Sequence, residues 1–237
     1  MSQTLEKTLK FPSFVLYLCS KCDSHVSFRC YRACKMWFSA SLLCVLLQSV
    51  VSLKDDSAPC DGIEIVSRKE WRARAPVRFK ELKLPLNHVI IQHTTSYPCK
   101  TKPQCIRNIQ FIQDYHLDYK GWGDIAYNFL IGGDGRVYEG VGWRIVGSHS
   151  INFNTLSLGI AFIGDYSNVV PSQKMLNATL DLIECGVQEG YLRPRPEIHG
   201  HRDVACTDSP GNKLYAIIRQ WDNYKGGRLT SYDCSGF

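Results

Sequence analysis

The chain has no apolar run long enough to cross a membrane, no internal repeat, no low-complexity tract and no basic run. Each absence argues against a class of protein. The longest uncharged, largely apolar stretch, Trp37 to Val51 (WFSASLLCVLLQSVV), is fifteen residues, short of the ~20 that a spanning helix needs. Beyond residue 53 the charge nearly balances, with 22 Lys and Arg against 20 Asp and Glu. That is poor material for counterion release on nucleic acid, which is set aside as a partner. No Gly/Ser/Pro linker divides residues 60–237, so they read as one domain.

What the chain does have is cysteine, eleven in 237 residues, together with 44% apolar and 21% charged residues that suit a globular core. Five cysteines lie early, and an even six come later: Cys60, Cys99, Cys105, Cys185, Cys206 and Cys234. Six in the main domain suggest three disulfides and an oxidising compartment. Sequence alone leaves about 15 connectivities open, with Cys99 and Cys105 the easiest local pair, around Pro103.

The early segment looks like targeting. Arg32, Lys35 and Met36 sit just before the apolar run, and Val50-Val51-Ser52 offers small residues for cleavage. Residues 1–35 are then an upstream extension, 36–52 a signal peptide and 53–237 a secreted domain. A rival reading keeps the run as a signal anchor and makes a type II membrane protein, with residues 1–35 cytosolic. Cys19-x2-Cys22-x7-Cys30-x3-Cys34 invites a zinc site, but its seven-residue gap is short for one and the pattern reads as coincidence. Asn177-Ala178-Thr179 is a glycosylation candidate at Asn177 if the domain is exported.

Strands and helices alternate through the main domain. His88–His93 suits a buried strand, and Cys105, Ile109, Ile112 and His116 repeat at helical spacing behind Pro103. Tyr127–Ile131 and Arg136–Glu139 flank Gly-Gly-Asp-Gly as strand, turn and strand. Ser157–Ile163 is another buried strand. Ser172 then caps a helix with the stripe Leu176, Leu180, Ile183 and Val187, ending at Gly190. Glu197–His201 reads as a strand, and Leu214, Ile217, Ile218 and Trp221 mark a last helix. The expected fold is α/β, a single domain with a mixed, mostly parallel central sheet flanked by helices. Polar residues gather at strand ends: His93, Tyr127, His149 and His201. Ligand sites of open α/β sheets lie there, although a lone histidine is more often a hydrogen-bonded member of a core.

Several strings then carry a resemblance. Ile90-Ile91-Gln92-His93-Thr94, Gly121-Trp122-Gly123-Asp124-Ile125-Ala126-Tyr127-Asn128-Phe129-Leu130, Val137-Tyr138-Glu139-Gly140, Gly200-His201-Arg202-Asp203-Val204 and Thr207-Asp208-Ser209-Pro210-Gly211 occur in order between about Ile63 and Tyr224. Together they resemble the peptidoglycan recognition proteins, which share the fold of phage-lysozyme-type amidases. The enzymes of that family cleave between the muramyl lactyl group and L-alanine with a zinc-bound water. Two His and one Cys hold the metal, assisted by a Tyr or Thr.

Carried onto this chain, the resemblance puts Gln92, His201 and Ser209 at the zinc positions and keeps Tyr127 and Thr207 at the assisting ones. A neutral amide oxygen and a protonated hydroxyl are weak partners beside imidazole. The expectation is therefore no retained zinc, no cofactor and no amidase activity, with a zinc amidase as the alternative. Resemblance to the receptor-type members implies a groove for the muramyl-peptide stem, lined by His93, Thr94, His116, Lys120, Tyr127, His149 and Asn154. It also implies Cys60–Cys185 and Cys99–Cys105 pairs, with Cys206 and Cys234 left as a third. In the family, a Gly-Trp pair with an Arg at the 141 position goes with diaminopimelate stems, and Asn-Phe with Val goes with lysine stems. Gly121, Trp122 and Val141 mix the two patterns. The implied function is a secreted receptor for bacterial peptidoglycan in innate antibacterial defence, signalling through downstream immune proteins, or a membrane-anchored receptor of the same kind.

Overall fold

One strand explains much of the architecture. The computed structural model describes Cys60 and residues 62–227, and in it β2 (Leu86–His93) has its last five residues buried. Side chains alternate across a strand. Val89 and Ile91 therefore face one way, and His88, Ile90 and Gln92 the other. Val89 and Ile91 join a core with Leu158, Ile160 and Phe162 of β5 (Ser157–Phe162). Leu182 and Ile183 of α2 (Gln173–Gln188) and Leu214 and Ile218 of α3 (Asn212–Ile218) cover it. The opposite face packs Leu130 and Tyr138 against Cys105, Ile109 and Ile112 of α1 (Lys102–Asp114), with Pro103 in that helix's first turn.

The sheet has six strands, in the order β1 (Ile65–Val66), β4 (Val137–Glu139), β3 (Phe129–Ile131), β5, β2 and β6 (Leu192–Gly200). Among the described strands only β3 and β4 pair antiparallel, and the other four pairings are parallel. The turn joining β3 to β4 is held by Asp134, whose carboxylate accepts from Tyr138 Oη at 2.8 Å and Arg136 Nη1 at 3.1 Å.

The structure corrects several expectations. β6 starts at Leu192, five residues ahead of Glu197, and runs through Pro194 and Pro196. It is the sheet's edge, where a missing backbone donor is tolerated. His201 has left the strand and opens a 3-10 turn, His201–Asp203. Leu180 is not in the buried stripe and is 41% exposed. The buried arc of α2 is centred near Met175 and Gly186, and Leu180, five residues on from Met175, lies about 140° round from it. Trp221 follows the end of α3 and packs beside the core from the turn beyond it. α1 gives way to one wider π turn, Tyr115–Tyr119, which carries His116.

Cys60 is bridged to Cys185 of α2, with Cα atoms 5.1 Å apart, and Cys99 to Cys105, at 5.0 Å. Cys206 is disulfide-bonded. Cys234, residues 1–35 and 36–52, and the four early cysteines of the spaced pattern lie outside the described residues. Among the described residues no helix is long and apolar enough to cross a membrane.

Candidate functional site

Adjacent residues at the end of β2 face opposite sides of the strand and serve different neighbours. Gln92, 2% exposed, donates from Nε2 to His149 Nδ1 at 3.1 Å. His93 turns the other way, where its Nδ1 accepts from the Tyr166 N–H at 3.2 Å and lies 3.6 Å from Asp165 Oδ1. The His93 backbone N–H donates to Ser209 Oγ at 3.2 Å. Ser209 is placed in turn by Thr207, whose hydroxyl accepts the Ser209 N–H at 3.1 Å. The three positions Gln92, His201 and Ser209 thus gather where β2, the turn after β6 and the loop before α3 meet.

Burial holds the histidines here neutral. His149 is pushed down to about 3, mainly by burial and then by His201, with the Ser157 backbone opposing. Its Nε2 is buried without a hydrogen bond of ordinary geometry among the described residues. Gly159 makes room for this ring, since a Cβ there would come within 2.5 Å of it. His201 falls to about 4, through burial first and then His93, against a hydrogen bond with the His149 backbone. His93 is lowered as well, by burial first, with Asp165 opposing.

A second group lies along the π turn. His116 stacks obliquely on Trp122, with ring centres 4.8 Å apart, and meets Tyr127 edge-on at 5.7 Å. Its Nδ1 accepts the Ala126 N–H at 3.1 Å, and burial, then Lys120, brings it to about 4. Tyr127 is raised to about 12 by burial. Lys120 is exposed, its Nζ 5.6 Å from the Tyr115 ring.

Other residues named from the sequence are occupied locally. The Thr94 hydroxyl accepts the Gly164 N–H at 3.0 Å and pairs with Ser96 Oγ at 2.7 Å. Asn154 Oδ1 accepts the Ser150 N–H at 2.7 Å, which shapes the His149 loop. Trp122 and Val141 line a cleft of about 470 Å³ that does not reach His93 or His149.

Arg78 also lines that cleft, and its Nη2 donates to the Gly121 carbonyl at 2.8 Å. Sequence reasoning missed it, because the segment around it forms no regular element and carries no periodic signal. Arg68 borders the cleft too, but is committed to Asp124 at 2.7 Å. Arg144 lies over the Tyr191 ring, 5.3 Å from its centre, and is absent from the cleft lining.

Asp124, Asn128 and Asp203, which stand out in the sequence strings, prove to be structural. Asp124 accepts from Gln113 Nε2 at 2.7 Å. Buried Asn128 donates to the Gly142 and Ile145 carbonyls at 2.8 and 2.9 Å and accepts the Gly159 N–H at 2.9 Å. Asp203 receives the Gly200 N–H at 2.7 Å and Tyr215 Oη at 2.6 Å. Asn177, exposed on α2, accepts from Gln173 Nε2 at 2.8 Å.

The sequence family described as N-acetylmuramoyl-L-alanine amidase matches residues 82–212. Peptidoglycan recognition protein 1 of Rattus norvegicus is 48% identical over 162 residues, which are 68% of this chain and 88% of the rat protein. The solved structure of bumblebee PGRP-SA is similar with a TM-score of 0.68 at 42% identity, over 70% of this chain and 99% of that one. Peptidoglycan recognition protein-LE, solved in complex with tracheal cytotoxin, a monomeric diaminopimelic acid-type peptidoglycan, is similar with a TM-score of 0.68 at 36% identity. That match covers 71% of this chain and 98% of the other.

Proposed function

The chain belongs to the peptidoglycan recognition protein family, and from that premise we propose that it is a secreted, non-catalytic receptor for the muramyl-peptide stem of bacterial peptidoglycan. Its role is recognition in innate antibacterial defence. One observation carries the non-catalytic part: the donor set at the family's zinc positions. Gln92 and Ser209 replace an imidazole and a thiolate, and both are already engaged, the amide with His149 and the hydroxyl with the His93 N–H. One imidazole, His201, with two neutral oxygen donors does not fit zinc.

What remains is binding. The Trp122, His116 and Tyr127 rings form an angled aromatic wall, and neutral imidazoles offer N–H donors for lactyl and peptide carbonyls. His149 carries its hydrogen on Nε2 because Nδ1 accepts from Gln92, and this buried ring orders the loop beside the site. The reading is tested by incubating the protein with insoluble peptidoglycan. Co-sedimentation without release of stem peptides is expected. Failure to sediment, or release of stems that a chelator abolishes, overturns it. A mature N-terminus near Leu53 is expected for the secreted form, and an intact residue 36–52 segment on membranes would favour the anchored one.

A further inference from the structure

Two histidines take no part in the cleft and sit beside a carboxylate. Parallel pairing of β2 with β6 sets Glu197 opposite His88 and His199 opposite Ile90. The alternation of a strand therefore raises all three side chains from one face. His88 Nδ1 is 3.1 Å from His199 Nε2, and Glu197 Oε2 is 3.5 Å from the first and 3.8 Å from the second. Three donors on one tetrahedral ion, with bonds near 2.0–2.2 Å, stand about 3.3–3.5 Å apart. The observed triangle is close to that before any ion is placed.

The hydrogens fall suitably. His199 Nδ1 is 2.9 Å from the Lys225 carbonyl, which only accepts, so that nitrogen carries the hydrogen and Nε2 presents its lone pair. A backbone carbonyl holding the far nitrogen is how ligating imidazoles are commonly oriented. His199 is wholly buried, whereas His88 and Glu197 are partly exposed, and His88 lines a surface cleft of about 610 Å³ with Thr155 and Leu156. The buried Asp203 carboxylate adds negative potential at His199.

We propose that His88, His199 and Glu197 form a binding site for a zinc-class divalent cation, with its fourth position open to water. The site is separate from the family's amidase position, since His88 lies four residues back along β2 from Gln92, about 13 Å at the strand's rise. When the ion enters, the hydrogen that His88 Nδ1 shares with His199 moves to His88 Nε2, and the ionised Glu197 supplies the oxygen donor. Two imidazoles favour zinc, copper or nickel over magnesium and calcium, which prefer all-oxygen cages.

The test is titration of the chelator-treated full-length protein with zinc chloride, counting equivalents bound and following imidazole nitrogens by NMR. One saturable equivalent that shifts the His88 and His199 rings is expected, with no such response to magnesium. His88→Ala and Glu197→Gln, both at partly exposed positions, should each weaken that equivalent roughly tenfold or more and leave peptidoglycan binding unchanged. The proposal is overturned by the absence of a saturable equivalent, by one that both variants leave intact, or by one that is lost with His201→Ala instead. Because the zinc readout is independent of peptidoglycan, its failure would leave the receptor reading standing.

Discussion

The side-chain amide of Gln92 donates to Nδ1 of His149 over 3.1 Å, tying the end of β2 to the loop that precedes β5. This bond occupies the His149 nitrogen nearest Gln92 and fixes the ring's hydrogen on Nε2. The amide is therefore a positioning group for the imidazole and, on the proposed reading, the replacement for a zinc-binding imidazole.

Reversing that exchange should bring metal back. Gln92→His combined with Ser209→Cys is expected to add one equivalent of zinc to whatever the parent protein holds, and to yield weak release of stem peptides. Metal analysis together with chromatography of the released peptides measures both. A double variant that folds and gains no zinc would count against the assignment of these two positions.

Acid should loosen the fold. Burial keeps His149 at about 3 and His116 at about 4 in the folded protein, whereas unfolded rings titrate near ~6.5. Below ~6.5 the unfolded chain takes up protons that the folded one refuses. Stability present above that pH is thus lost as pH falls toward the folded values, and levels off beneath them. Each of the two rings should account for about 1 kcal/mol by roughly pH 5.5. Urea unfolding at about pH 7.5 and 5.5 measures the loss, and His116→Gln should reduce it. Equal midpoints at both values would refute this linkage.

Stem discrimination should be slight. The family resemblance pairs diaminopimelate stems with an arginine at the position of Val141, so on the proposed reading that carboxylate lacks this partner, but Arg78 borders the same cleft as Trp122. Both stem types are expected to bind within ~tenfold of each other, about 1.4 kcal/mol. Arg78→Ala should weaken only the diaminopimelate form, by a few-fold, and Val141→Arg should strengthen it. Calorimetric titration of the two muropeptides decides the matter. Strong wild-type selectivity, or indifference to both changes, would defeat it.

The long-range bridge should matter more than the local one. Cys60→Ala with Cys185→Ala frees a loop spanning 125 residues and should cost about 2–5 kcal/mol in urea unfolding. Removing Cys99–Cys105, which spans six residues, should cost less. Mass mapping is expected to recover a Cys206–Cys234 peptide, and a free thiol at Cys234 would contradict that pairing.

The buried strands were legible because β2 and β5 each carry a short apolar centre, Val89-Ile90-Ile91 and Leu158–Phe162, of the kind that a loop rarely has. Leu180 was misplaced because spacing by four tracks a helix stripe only while the stripe stays centred. β1 is two residues long, too short for any period, and the start of β6 was hidden by two prolines that an edge alone can admit. In the site, Gln92, His201 and Ser209 could be found from strings of neighbouring letters. The link from His88 to Glu197 and His199 could not, because it exists only through the pairing of two strands that are distant in sequence. Arg78 was invisible for a related reason, since tertiary contact with Gly121, and not local pattern, brings it to the cleft.

The parallel pairing of β2 has a consequence for synthesis. Both neighbours of this interior strand come late, from residues 157–162 and 192–200. While the chain is being made, β2 waits with both backbone edges unpaired, a template for any other strand that arrives first. Non-local closure of this kind is slow, and the exposed interval grows with every residue still to be added. A chain interrupted between residues 162 and 192 would carry one side of β2 finished and the other bare. Truncated products of that length are the ones that should aggregate, and a chaperone that shields strand edges should act on this protein before its last forty residues are complete.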